Sequence, residues 1–154
     1  MSHPGGCACG AVRYRLIREP MFVNCCHCRD CQRQTGGAFV VNAIIETDQI
    51  VRETGETVVF TMPTESGRPH DLVRCATCAT TLWSDYGRRR VVSFVRVMTL
   101  DDPTPLSPDA HIFTRSKSPW VEVIGAPCFE VYYEMATLWS ADGLARRRAV
   151  IGDG

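Results

Sequence analysis

The chain has 154 residues, 45% of them hydrophobic and 22% charged, which is one ordinary domain, large enough to bury a core without covalent staples. Lys+Arg and Asp+Glu are both 17 and the formal net charge is zero, which argues against a dedicated nucleic-acid or anionic-membrane binder. Nine cysteines are the compositional anomaly.

Residues 1–20 lack the apolar core of a signal peptide, and no apolar run approaches the roughly 18 residues needed to span a bilayer. A cytoplasmic protein is expected, and there clustered thiols serve as metal ligands or catalysts more often than as disulfides. After Gly10, residues 11–16 alternate apolar and polar, the pattern of a half-buried strand. Residues 37–45 are rich in β-branched and aromatic side chains and predict a buried strand. Further strands are predicted at 50–52, 57–62, 72–74, 91–98, 121–124 and 129–133. Turn formers such as Glu53-Thr54-Gly55-Glu56, Glu65-Ser66-Gly67-Arg68 and Asp101-Asp102-Pro103 separate them. Many short strands punctuated by Gly and Pro predict a mainly β fold of short antiparallel sheets, one domain over residues 1–133. Residues 134–154, with Gly143 and the Arg146-Arg147-Arg148 run, are expected to be a C-terminal appendage, a short helix or loose tail.

By spacing, the cysteines form three groups and a remainder. Cys7-Ala8-Cys9 lies near the N-terminus, Cys25-Cys26-His27-Cys28-Arg29-Asp30-Cys31 follows, Cys75-Ala76-Thr77-Cys78 is far downstream, and Cys128 stands alone. Zinc takes four ligands in a tetrahedron, and two cysteines separated by one or two residues reach one ion through a tight turn. Cys7, Cys9, Cys75 and Cys78 can therefore close a four-thiolate site, tying the first strand to the middle of the chain. Such a site is structural, because its binding energy is folding energy. Cys26, Cys28 and Cys31 supply three thiolates from six consecutive residues and leave a fourth position for water or substrate, as in a catalytic zinc site. His27 or Cys25 would instead close that site, and a metal-free thiol cluster is a third option. Cys128, between Pro127 and Phe129, is expected to be a buried small hydrophobe, and Cys25 to pack inward. His3 and His70 give no signal beyond that of surface histidines.

These stretches, with Gly10-Ala11-Val12-Arg13-Tyr14 after the first pair and His111-Ile112-Phe113 and Ser118-Pro119-Trp120 later, are in order and at suitable separations. Together they resemble the glutathione-dependent formaldehyde-activating enzyme family, which includes centromere protein V, over roughly residues 5–133. The resemblance implies a mainly β fold shared with zinc-containing Rab accessory factors and type B methionine sulfoxide reductases. It implies two zinc ions per chain, a structural one on Cys7, Cys9, Cys75 and Cys78 and a catalytic one on Cys26, Cys28 and Cys31. The implied activity is that of a carbon–sulfur lyase (S-hydroxymethylglutathione synthase), joining glutathione or a related small thiol to a small aldehyde. The alternative is an interaction module with both zincs structural. His111 and Trp120 match family positions and would line the pocket, though a tryptophan after Pro119 also suits a core. Arg29, Arg33 and Arg115 are candidates for the glutathione carboxylates. One departure is Ala79, where the family commonly has glycine after the Cys-x-x-Cys pair, a position that suits positive φ.

Overall fold

Two sheets carry the fold. In the computed structural model, which describes residues 1–152, β1 (His3–Gly6) and β2 (Arg13–Leu16) form an antiparallel hairpin. β3 (Phe22–Cys26) leads into α1 (Arg29–Thr35), then β4 (Val40–Glu46), β5 (Ile50–Thr54), β6 (Thr57–Met62), β7 (His70–Cys75), β8 (Thr81–Tyr86), β9 (Val92–Arg96) and β10 (Ala110–Ile112). α2 (Met135–Leu138) and α3 (Ala141–Ile151) end the described chain. The smaller sheet has the order β1-β2-β5; the larger runs β10-β3-β4-β9-β8-β7-β6 and is antiparallel except where β10 joins β3 in parallel.

Side-chain alternation along the central strands sets up two cores. Tyr14 and Leu16 of β2 point inward while Arg13 and Arg15 face out to Asp101 and Glu53. The inward pair packs with Val23 and Cys25 of β3, Val41, Ala43 and Ile45 of β4, Leu82 and Val95, filling the space between the sheets. The opposite face of the same strands presents Phe22 and Cys26, Val40 and Ile44, and Val92 to a second core. The cover there comes from Ile112, Tyr133, Trp139, Leu144 and Ile151. Because β3 and β4 are buried on both faces, their sequence is nearly continuous in apolar residues. A polar side chain within them therefore marks a place where something other than packing is required.

The strand predicted at 11–16 forms from Arg13 onward, that at 37–45 is β4 (Val40–Glu46), and that at 91–98 is β9 (Val92–Arg96). Those predicted at 121–124 and 129–133 do not form. Pro119, Gly125 and Pro127 interrupt the ladder there, since proline has no N–H to give and Gly125 turns the chain at φ 77°. What survives is a single parallel bridge between Cys128 and His111 beside β10. Cys128 is exposed rather than buried.

The C-terminal segment, expected as an appendage, packs into the second core through Trp139, Leu144, Val150 and Ile151; residues 153 and 154 of that expected stretch lie outside the described residues. Ser140 caps α3 by accepting a hydrogen bond from the Gly143 N–H at 3.0 Å. From α3, Arg146 reaches Glu46 of β4 through two hydrogen bonds, Nε to Oε1 at 2.8 Å and Nη2 to Oε2 at 2.6 Å, with both residues buried. Among the described residues, no helix is long and apolar enough to cross a membrane.

Candidate metal centres and cavity

Cys7 and Cys9 lie in the turn after β1, Cys75 ends β7, and Cys78 lies in the turn between β7 and β8. The four Sγ atoms come within 4.8 Å of one another. Cys7 and Cys9 are 3.5 Å apart and Cys9 and Cys75 3.9 Å. A tetrahedron of thiolates 2.3 Å from zinc has sulfur–sulfur edges of about 3.8 Å, so the donor set fits that ion. Backbone N–H groups point at the sulfurs: Val12 donates to Cys7 at 3.2 Å, and Thr77 and Cys78 donate to Cys75 at 3.4 and 3.5 Å. These bonds favour thiolate over thiol. To complete the turn Ala79 adopts φ 62°, the left-handed conformation that glycine takes at less cost.

The second cluster grows from the junction of β3 and α1. Cys26 ends β3, Cys28 is the N-cap of α1 and accepts the Cys31 N–H at 3.3 Å, and Cys31 lies in the first helical turn. Their sulfurs are also mutually within 4.8 Å. Hydrogen bonds from Cys26 and Cys31 hold the Cys28 thiol far below its ordinary range. Cys26 is correspondingly raised, through its hydrogen bonds to Cys28 and Cys31 and its burial. Three converging thiols within reach of one ion are a suitable donor set for a divalent metal.

Neither Cys25 nor His27 joins this cluster. Alternation along β3 sends both to the opposite face, where they meet His111: Cys25 Sγ lies 3.5 Å from His27 Nε2, which lies 3.1 Å from His111 Nδ1. All three are buried, and His27 is 0% exposed. Burial, with the charges of His111 and Lys117, pushes the His27 pKa down to about 4, so this imidazole is neutral.

The Cys26–Cys28–Cys31 sulfurs border a cavity of about 870 Å³, within the range of ligand sites. Its apolar wall includes Ile44, Phe94, Ile112 and Trp139, and arginines 29, 89, 115 and 147 line it as well. Of the arginines proposed from sequence, Arg29 and Arg115 thus reach the cavity and Arg33 does not. His111 is not among the lining residues; it is turned to the His27 side. Trp120 neither lines the cavity nor packs in a core, being 76% exposed in the turn it shares with Pro119.

Sequence reasoning missed several lining residues. Asn24, Asn42 and Arg96 form a polar row across β3, β4 and β9 on the cavity face, in register Asn24↔Asn42 and Asn42↔Arg96. The available signal was a polar residue inside an otherwise apolar strand. His70 is buried, not superficial, and its Nδ1 accepts a hydrogen bond from the Gln34 Nε2 amide at 3.1 Å. Burial, with the nearby Arg96 charge, pushes its pKa down to about 4. Met135, Trp139, Arg147 and Ile151 come from the C-terminal segment, whose contacts no local pattern announces.

Known proteins agree with this architecture. A curated protein of Halomonas elongata named "Putative glutathione-dependent formaldehyde-activating enzyme" is 28% identical over 124 residues, covering 77% of this chain and 79% of the relative. A crystal structure of a Rhodobacter sphaeroides protein superposes with a TM-score of 0.52 at 18% identity, covering 84% of this chain and all of that one, a likeness of fold. The family model for glutathione-dependent formaldehyde-activating enzyme matches residues 2–116, a span that contains both cysteine clusters and every strand of the larger sheet. The chain belongs to the glutathione-dependent formaldehyde-activating enzyme family.

Proposed function

We propose that the protein is a zinc-dependent carbon–sulfur lyase that makes and breaks adducts between glutathione, or a related small thiol, and a small aldehyde. One observation carries the reading: the three sulfurs of Cys26, Cys28 and Cys31 converge at the wall of a ligand-sized cavity, and among the described residues no fourth Cys, His, Asp or Glu joins them. A zinc ion held there would supply a Lewis acid with one open coordination position. Cys7, Cys9, Cys75 and Cys78 would hold a closed, structural zinc.

The chain's own residues supply binding and orientation. Glutathione carries two carboxylates, and Arg29, Arg89, Arg115 and Arg147 are the lining cations able to receive them. Ile44, Phe94, Ile112 and Trp139 exclude water from the reacting end, which keeps a small aldehyde from competing hydration. In the synthetic direction the thiol sulfur bonds to the carbonyl carbon, the C=O π bond opens, and the thiol proton ends on the carbonyl oxygen. No oxidant, reductant or further co-substrate is consumed. Holding two small reactants in contact is the main catalytic contribution.

The test pairs zinc content with exchange NMR between free formaldehyde and its glutathione adduct. Wild type is expected to hold two zinc ions and to accelerate exchange. Cys26→Ser is expected to lose one ion and the acceleration together. A wild type with one ion or none, or a Cys26→Ser variant with full acceleration, contradicts the reading. Two tightly held ions with no acceleration would instead favour an interaction module.

A further inference from the structure

We propose that Arg96 is the built-in counter-charge of the Cys26–Cys28–Cys31 centre, the residue that sets how tightly that centre holds a divalent metal. The inference rests on reading those cysteines as a metal site.

Arg96 ends β9 and is 6% exposed. A buried guanidinium costs several kcal/mol unless an anion compensates it. The other buried arginine, Arg146, is compensated by the Glu46 carboxylate through two hydrogen bonds. Arg96 has no such partner. Its Nη1 donates to Asn42 Oδ1 at 2.6 Å and its Nη2 to Gln34 Oε1 at 3.3 Å, both neutral amides. Its Nε is buried without any partner. Among the described residues no carboxylate lies within ion-pair distance of it.

The anions that remain are sulfurs. Register puts Arg96 beside Asn42 and Asn42 beside Asn24, and Asn24 shares its face of β3 with Cys26, two residues on. Gln34, the second acceptor, lies on α1 three residues after Cys31, so the guanidinium is tied to the helix that carries two of the three thiols. Arg96, Cys26, Cys28 and Cys31 all line the same cavity, so the thiols are the groups there that can turn anionic toward the guanidinium. The charges then balance: three thiolates and one divalent ion carry one net negative charge, and Arg96 cancels it. With a neutral residue at position 96, metal binding, which requires all three thiols to be deprotonated, would leave a net charge buried beside the cavity.

The experiment is competition for zinc between a chromophoric chelator and the full chain, wild type and three variants, with the Cys7–Cys9–Cys75–Cys78 centre as internal reference. Arg96→Met removes the charge and every polar donor, Arg96→Gln removes the charge but keeps an amide donor on a shorter stem, and Arg96→Lys keeps the charge. Met and Gln are expected to weaken one equivalent of zinc by about 10–100-fold and leave the other unchanged, while Lys retains most of the affinity of both. Neutral variants that hold both equivalents at wild-type affinity overturn this proposal alone. So does a lysine variant that loses as much as the glutamine variant or fails to fold. Should neither neutral variant fold, retention of both equivalents by the lysine variant decides in favour of the proposal. A wild type that holds one equivalent or none overturns the metal reading and this proposal with it.

Discussion

Ala79 spends conformational energy that its position does not oblige the chain to spend. At φ 62° its Cβ crowds the following carbonyl, at a cost of roughly 1–2 kcal/mol, and its N–H is committed to the Cys75 carbonyl at 3.0 Å, so the turn cannot relax away. Glycine would relieve the crowding while losing about 0.4–1 kcal/mol to its greater freedom in the unfolded chain. Ala79→Gly is therefore expected to stabilise the zinc-loaded protein by about 0.5–1 kcal/mol and raise Tm by about 1–4 °C. Thermal denaturation checks this, and a lowered Tm would mean that the alanine methyl makes a compensating contact. The strained position was legible through the family resemblance, because the family commonly has glycine directly after the Cys-x-x-Cys pair where this chain has Ala79. The reverse holds for Cys128: a cysteine between a proline and a phenylalanine reads as a packed hydrophobe. Only the failure of its strand explains why it is exposed.

At the scale of elements, α3 shows how a charge run misleads. Successive helical residues point about 100° apart, so three consecutive arginines cannot share one environment. Arg146 turns inward to Glu46, while Arg147 faces the cavity. Glu46 sits at the end of β4 on the second core's face, where burial alone would raise its pKa. The hydrogen bonds and charge of Arg146 outweigh that and hold it below the usual carboxylate range. Its share of the stability is thus present above the unfolded carboxylate pKa and is lost as pH falls through the lower, folded value. Arg146→Met should cost up to about 3–5 kcal/mol, since it leaves the buried Glu46 carboxylate only the half-exposed Arg18, 3.6 Å away. Adding Glu46→Gln should recover part of that loss and flatten the acid limb of the stability profile. Denaturant melts at neutral and acid pH measure both effects; a double variant no better than the single one would mean that the helix docks through its apolar contacts alone. No periodicity in the sequence announces this docking, because the decisive partner is a hundred residues away.

Across the whole molecule the two cysteine clusters differ in what they join. Cys7 and Cys9 meet Cys75 and Cys78 across the fold, whereas Cys26, Cys28 and Cys31 lie within one strand–helix junction. Metal at the first site closes a long loop, and that at the second closes almost none. Cys7→Ser is accordingly expected to lower Tm more than Cys26→Ser, and equal melting temperatures would contradict this division of labour. Spacing alone grouped these seven cysteines as the structure groups their sulfurs, since ligand turns are local. The cavity was far less legible: Asn42, Arg96 and Trp139 come to it from three distant parts of the chain, and only strand pairing brings them together.

Cys25 and Cys26 are chemically identical neighbours, and nothing in their thiols tells a metal which one to take. The pleat of β3 makes that choice by sending one sulfur to each side of the sheet. A slip of one residue in the pairing with β4 would exchange them, offering the wrong thiol to the centre and burying the right one against His111. Ligand selection is in that sense an error check on assembly: a chain whose strands have paired out of step cannot complete its second centre.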